Sequence, residues 1–254
     1  MVRNKPFTVI YEDPYIVVLN KASGLLVAAD RWDPDAPRLD TLANAQLCAD
    51  GERLYAVHRI DKDTSGLVIY AKTDKAHRAL SMAFEKREVH KTYYALVNGR
   101  PLWDQIEVDI PLRADGDQRH RTVQDRHHGK DAKTVFQNLG ACGPFSWIEA
   151  RPITGRTHQI RVHLTLSGIT IVCDPLYGRP DSVYLSKIKR KWNGDQYDER
   201  PLLARLALHA ARIQITHPET GKLMEFEAPW PKDLDSTRKQ LTKLFKFDPL
   251  KSTM

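Results

Sequence analysis

The densest set of reactive side chains lies at His58-Arg59-Ile60-Asp61-Lys62-Asp63-Thr64-Ser65-Gly66, between two apolar runs. His58, Asp61 and Asp63 are metal-ligand types, but they come without a helical histidine pair or a calcium-loop spacing, which disfavours a metal site. On pattern alone a charged surface loop is the favoured account of the segment. A second cluster, Thr154-Gly155-Arg156-Thr157-His158-Gln159-Ile160-Arg161-Val162-His163, reads as the start of a helix. There Arg156, Gln159 and His163 fall on one side at i, i+3 and i+7, with Arg161 elsewhere. A helix N-terminus loaded in this way suits a phosphate. An N-capped amphipathic helix with solvated Arg and Gln is the plainer alternative.

The elements that must hold these clusters can be read from periodicity and punctuation. Residues 7–11 and 15–19 are β-rich runs split by a Glu-Asp-Pro turn. A Pro/Asp-rich loop from Asp30 to Pro37 leads into a short helix over 40–49 with Leu42 and Leu47 as its apolar residues. Strands are expected at 53–57 and 67–71, on either side of the first cluster. Thr73 caps a helix through Arg87, with Ala76, Leu80, Ala83 and Phe84 at helical spacing. Further strands fall at 92–99, 134–139, 145–152 and 169–174. The second helix opens at Thr154 and stops at Gly168. A polar insertion at 179–201 contains Lys187, Lys189, Arg190, Lys191 and Trp192. Two strands then flank a hairpin turn at His217–Gly221, and a helix over 232–247 aligns Leu234, Thr237, Leu241, Leu244 and Phe245. Strands and helices are segregated, so the class is α+β with a mixed, largely antiparallel sheet. Residues 1–254 read as one catalytic domain.

Composition narrows the function classes. The 254 residues, 41% hydrophobic, can bury a full core, and no apolar run approaches the roughly 20 residues of a membrane span. The start lacks an apolar signal core, and three well-separated cysteines form no C-x-x-C pair. A reducing, cytoplasmic setting is the expectation, with no disulfides. The net charge is +7, and its excess is segmental: ten positive against six negative residues in 51–100, nine against five in 151–200. Those are the stretches that hold both clusters; by itself such a balance fits nucleic acid, another anionic surface or no partner at all.

Taken together, the clusters resemble the RluA-type pseudouridine synthases. His58-Arg59-Ile60-Asp61 with Thr64-Ser65-Gly66 is similar to that family's HR(L/I)D-x-x-TSG signature. Asn20-Lys21-Ala22-Ser23-Gly24 resembles N-K-P-[SA]-G, and Lys91-Thr92-Tyr93-Tyr94-Ala95-Leu96-Val97 resembles K-x-Y-x-A-x-V. Gly129 to Thr134 follows G-K-x-A-x-T, and Pro152 to His163 follows P-x-T-G-R-x-H-Q-[IL]-R-x-H. Asp174-Pro175-Leu176-Tyr177-Gly178 follows D-x-x-Y-G, and Leu208-His209-Ala210 follows L-H-A. Two departures stand out. Ala22 replaces a proline, and Cys173 replaces a glycine, so the backbone at 173 is expected to avoid a glycine-only conformation.

The resemblance implies a pseudouridine synthase fold around an RNA-binding cleft. It also implies isomerisation of a specific uridine to pseudouridine in a ribosomal or transfer RNA loop, without cofactor or metal. A catalytically silent RNA-binding or RNA-folding factor on the same scaffold is the alternative. Asp61, Tyr93 and Arg161 would be catalytic. Asp61 is the carboxylate beside the sugar, Arg161 the positive partner that keeps it ionised, and Tyr93 stacks on the uracil. Lys21, Arg59, Thr64, Arg156 and Leu208 would contact substrate, and Lys187, Lys189, Arg190 and Lys191 the RNA backbone. Lys239, Lys243 and Lys246 read as a solvated helix face, and His158, His163 and His209 as structural. With strand structure beginning by Phe7, no N-terminal RNA-binding domain is expected. The protein is expected to be a monomer with no membrane association and no obligate protein partner.

Overall fold

The computed structural model describes residues 5–29 and 36–251. Most of the expected Asp30–Pro37 loop lies outside the described residues. In chain order the elements are β1 (Phe7–Glu12), β2 (Ile16–Lys21), α1 (Leu39–Leu47), β3 (Tyr55–Ala56), β4 (Ser65–Ala71) and α2 (Asp74–Glu85). There follow β5 (His90–Asn98), β6 (Gln105–Asp109), β7 (Leu112–Arg113), β8 (Val123–Gln124), β9 (Lys133–Cys142) and β10 (Phe145–Pro152). The chain finishes with α3 (Gln159–Leu166), α4 (Leu185–Ile188), β11 (Leu208–Thr216), β12 (Leu223–Glu227) and α5 (Lys232–Phe245). It divides into two compact units, Met1–Thr92 with His209–Pro229, and Tyr93–Leu208 with Trp230–Met254.

In the first unit the strands run β1-β2-β4-β11, with β12 on β11. Every pairing is antiparallel except that of β4 with β11. β4 is buried along its whole length, which is why its sequence is a continuous apolar run rather than an alternating one. One of its edges is shared: Ser65 and Gly66 pair with His209 and Ala210, while Tyr70 and Ala71 pair with β3. Leu67, Ile69, Ile16, Val18 and Ile213 face α2, which contributes Ala76 and Leu80 to the same core. Thr73 accepts the Ala76 N–H at 3.2 Å, so the expected N-cap is present. The Glu-Asp-Pro turn is tied by Asp13, which accepts from the N–H groups of Tyr15 and Ile16 and bonds His217 Nε2 at 2.8 Å.

The second unit is built on the antiparallel order β5-β10-β9-β6, with β7 and β8 as a separate hairpin. Trp147 is fully buried, and Trp230 packs against both Trp147 and Tyr94, with ring centroids 5.1 and 5.3 Å apart. Helix α5 buries Leu234, Thr237 and Leu241, and its first turn is anchored by the two-pronged Arg205–Asp233 pair.

Four expectations need correction. Residues 169–174 are not a strand; Ile171 makes a single bridge to Val97, and the chain then turns at Asp174. The second helix begins at Gln159, not Thr154, because His158 is left-handed (φ 52). Arg156 therefore lies outside the helix and shares no helical side with Gln159 and His163. Helix α1 buries Leu39 and Ala43, while Leu42 and Leu47 are half-buried. Cys173 does not avoid the left-handed region: its φ is 58, and its thiol points back onto the Asp181 carbonyl at 3.2 Å. A non-glycine residue there costs about 1–2 kcal/mol.

Candidate active site

In the first unit the polar segment 57–64 crosses from β3 to β4. His58 anchors it: Nε2 accepts the Ile69 N–H at 3.0 Å, and the ring stacks on Phe84 with centroids 4.7 Å apart. Burial, reinforced by the charge of Lys91, pushes the imidazole down to about 3, so it stays neutral and keeps its acceptor lone pair. Burial also lowers the Lys91 ammonium, to about 8. Arg59 next to it is exposed. Asp61 is half-buried, and its carbonyl accepts the Thr64 N–H at 3.2 Å, closing a tight turn. The Thr64 side chain is buried, and its hydroxyl makes no hydrogen bond among the described residues.

Lys21 is the staple beneath this turn. It is 0% exposed, and its ammonium donates to the carbonyls of Ala22, Leu25 and Lys62 at 2.9, 2.7 and 2.9 Å. Ser23 Oγ donates to the Asp63 carbonyl at 2.7 Å, and Gly24 N–H to that of Lys62 at 2.9 Å. The Asn20–Gly24 stretch thus holds the two residues that follow Asp61, Lys62 and Asp63, by their main-chain carbonyls, independently of loop side chains. Gly66 closes the segment with φ 119, and a Cβ there would lie 2.2 Å from the Ala210 carbonyl oxygen. Only glycine permits this approach of β4 to β11. Behind it, Ser65 Oγ bonds His209 Nδ1 at 3.0 Å.

In the second unit α3 carries the other cluster. Gln159 is buried and fully engaged. Its Oε1 accepts from Thr154 Oγ1 (2.6 Å) and Arg156 N–H (2.9 Å), and its amide donates to the Lys133 carbonyl and Thr134 Oγ1, both at 2.9 Å. His163 is also buried, between Thr134 Oγ1 and the Ile110 carbonyl; burial lowers its pKa. Arg156 is half-buried and donates from Nε to the Asp131 carbonyl at 2.8 Å.

Arg161 is 3% exposed and grips Asp174 with Nε and Nη2, both at 2.8 Å. Burial by itself would raise the Asp174 carboxyl. The Arg161 fork and the N–H groups of Leu176 and Tyr177 outweigh it and hold the group below the usual carboxylate range. The Tyr177 ring lies under the guanidinium, 5.0 Å from Cζ. Tyr93 is buried on β5, opposite Ala150 of β10. Leu208 is buried and follows Ala207, whose carbonyl accepts the Leu96 N–H, so it lies alongside β5. Lys187, Lys189, Arg190 and Lys191 are all exposed.

Lys21, Arg59, Asp61 and Thr64 are therefore gathered in the first unit, and Tyr93, Arg156, Arg161, Leu208 and the basic insertion belong to the second. Among the described residues no group of three His, Cys, Asp or Glu could hold a metal ion. Sequence reasoning missed the Asp174 partner of Arg161 and the part played by Tyr177. The Asp-Pro-Leu-Tyr-Gly turn signal was visible, but no spacing rule links it to a helix 13 residues earlier.

The sequence profile described as RNA pseudouridylate synthase matches residues 15–166, more than half of the chain. The chain is 36% identical over 248 residues to the Zymomonas mobilis protein named ribosomal large subunit pseudouridine synthase D, covering 93% of this chain and 73% of that one. A Neisseria meningitidis protein of the same name is 37% identical, and there the match covers 89% of this chain but 59% of the relative. The Yersinia pestis dual-specificity RNA pseudouridine synthase RluA is 34% identical, over 86% of this chain and 97% of that protein. Among solved structures, human RNA pseudouridylate synthase domain containing 4 shares the fold, with a TM-score of 0.68 at 24% identity over 92% of both chains.

Proposed function

Because the chain belongs to the RNA pseudouridylate synthase family, isomerases of uridine in RNA, we propose that Asp61 is its catalytic carboxylate, acting on a uridine in a structured RNA loop. The observation that carries the assignment is the half-buried Asp61 on a turn whose next two carbonyls, those of Lys62 and Asp63, are fixed by Lys21, Ser23 and Gly24. A carboxylate held in place loses little orientation entropy when it reacts. In the reaction the glycosidic carbon–nitrogen bond breaks, the uracil turns, and carbon 5 joins the sugar as its proton leaves and N1 takes one up. Asp61 serves either as nucleophile at the anomeric carbon or as base for the 2′ proton.

In this reading Arg161 is the positively charged catalytic residue, and Tyr93 stacks on the flipped uracil. Leu208 walls the base. Arg59, Thr64 and Arg156 complete the substrate contacts, Arg59 from an exposed position suited to the extruded nucleotide; Lys21, expected to touch substrate, is instead buried and braces the Asp61 turn. Flipping a base costs a few kcal/mol and is least costly in a loop, which favours a stem-loop target. The relatives named for the ribosomal large subunit favour a ribosomal RNA hairpin over a transfer RNA arm. We propose further that the chain works as one catalytic domain, monomeric and cytoplasmic. Among the described residues no helix is long and apolar enough to cross a membrane.

Tritium release from RNA labelled at carbon 5 of uridine tests the assignment. Wild type releases tritium and Asp61→Ala does not; equal release by both overturns it, and no release by either favours an RNA-folding factor. The exposed basic insertion is proposed to track the RNA backbone. Neutralising Lys187, Lys189, Arg190 and Lys191 to Gln should flatten the log–log salt dependence of RNA binding by about 3 units. An unchanged slope removes the insertion from the interface.

A further inference from the structure

The basic insertion carries two aromatic rings beyond α4, and the structure treats them differently. The insertion is a closed loop: Val183 N–H donates to the Leu203 carbonyl at 2.8 Å, and Leu202 N–H to that of Val183 at 2.7 Å. Further out, Glu199 Oε1 accepts the Ser186 N–H at 2.8 Å and ties the returning limb to α4. Trp192 folds onto the loop itself. It is half-buried, and its ring lies so close over Gly194 that a Cβ there would sit 2.4 Å from Cζ2. Tyr197 is left outside, 99% exposed, on a turn fixed by its own N–H bonding Asp195 Oδ1 at 2.9 Å. A ring wholly in water adds nothing to the core. What surrounds it in the loop is charge. Residues 184–200 hold five exposed cations, Lys187, Lys189, Arg190, Lys191 and Arg200, against Asp195, Asp198 and Glu199. Two of those carboxylates are engaged by main-chain N–H groups, and among the described residues none of the five cations is in an ion pair.

We infer that Tyr197 is a stacking platform for an unpaired RNA base, so that the insertion takes up a single-stranded nucleotide rather than the outside of a duplex. The inference rests on the reading of the insertion as an RNA-backbone contact. Cations alone hold phosphates and do not distinguish single from double strands by a base. A flat ring beside them adds a surface on which one base can lie, and every base has a π-face, so the contact tolerates any sequence. In a duplex each base is covered on both faces by its neighbours, and a ring on the protein surface finds nothing to cover. The five unpaired cations of the same loop favour a polyanion over an apolar protein surface as the occupant.

The test measures dissociation constants for polyadenylate, which has no uridine to occupy the active site, and for the polyadenylate–polyuridylate duplex. Tyr197→Ala should bind the single strand about fivefold or more weakly and the duplex within about twofold of wild type. Its log–log salt slope should not change, because the ring carries no charge. Tyr197→Phe and Tyr197→Trp keep a stacking face and should bind the single strand at least as tightly as wild type. Melting temperatures of all three variants should match that of wild type, since the side chain lies outside the fold. Single-strand binding by Tyr197→Ala within about twofold of wild type overturns the inference and leaves the ring to a protein partner or to none. A loss shared by Tyr197→Phe overturns it too, by assigning the contact to the hydroxyl, and so does an equal loss on the duplex. An unchanged salt slope after Lys187, Lys189, Arg190 and Lys191 are changed to Gln would instead sink the reading beneath it. That result is obtained with Tyr197 intact, so the two failures are read on different variants.

Discussion

Gly66→Ala is the sharpest test of how the Asp61 segment is held. Two costs can be worked from the geometry. The backbone there has φ 119, a region nearly closed to side chains, which costs about 1–3 kcal/mol. The added Cβ would sit 2.2 Å from the Ala210 oxygen and 2.7 Å from its carbonyl carbon and nitrogen. Those are main-chain atoms in a parallel pairing, so no side chain can swing aside, and overlap of this kind costs about 1–3 kcal/mol more. The sum, about 2–6 kcal/mol, is a large part of the roughly 5–15 kcal/mol typical of a folded domain. Gly51→Ala is the matched control: its φ is 86, but nothing lies within 4 Å of its Cβ, so it carries the backbone cost of about 1 kcal/mol alone. Urea unfolding followed by far-UV circular dichroism reads both. Adding Ala210→Gly should not rescue Gly66→Ala, since the clash is with the backbone of residue 210. The reasoning fails if Gly66→Ala is no less stable than Gly51→Ala, or if the double variant recovers.

Two further outcomes follow from titration and burial. His58 takes a proton near 6.5 when unfolded and only near about 3 when folded, so the stability it contributes is complete above pH 6.5 and drains away as the pH falls toward 3. The melting temperature should drop between pH 7 and pH 5, above the ordinary carboxylate range, and His58→Gln should flatten that drop; an equal drop in both refutes the assignment. Burial pushes the thiols of Cys142 and Cys173 up to about 12 and about 11, while Cys48 is half-buried. A thiol reagent at pH 8 should therefore label Cys48 alone in the native protein and all three cysteines in denaturant. Rapid native labelling of Cys173 would show that its left-handed turn opens.

Elements with strong local signals were legible. The β-rich runs around the Glu-Asp-Pro turn, the Thr73-capped helix and the hairpin before β12 appear where periodicity and turn residues place them. The loop bearing Asp61 was legible for the same reason, being the polar interval between two apolar strands. The stretch 169–174 misled because β-branched residues favour a strand only where a neighbouring edge is available, and Ile171 finds a single bridge. The start of α3 misled because Thr154 and Gln159 bond to each other, drawing 154–158 into a turn that local propensity does not encode. At Cys173 the left-handed conformation that was expected to be avoided is adopted without glycine, since the Arg161–Asp174 clamp next door over-determines the backbone. Lys21 illustrates what sequence alone conceals. A lysine at the end of a strand reads as a surface charge or substrate contact, whereas its ammonium is enclosed by three carbonyls contributed by two separate loops.

The first unit is discontinuous in the chain, and this sets the timing of its assembly on the ribosome. Its leading part ends at Thr92, but the segment carrying β11 and β12, which complete the sheet, ends at Pro229, 137 residues later. At about 5–20 residues per second, the newly made β4, which ends at Ala71, waits about 7–28 seconds for Ala210 of the strand that covers its Ser65–Gly66 edge. Throughout that interval a fully apolar strand keeps an open edge, the kind of surface that recruits stray strands or a chaperone. Chains truncated anywhere between Thr92 and His209 carry that edge permanently, and they should be found among the aggregates rather than in the soluble fraction.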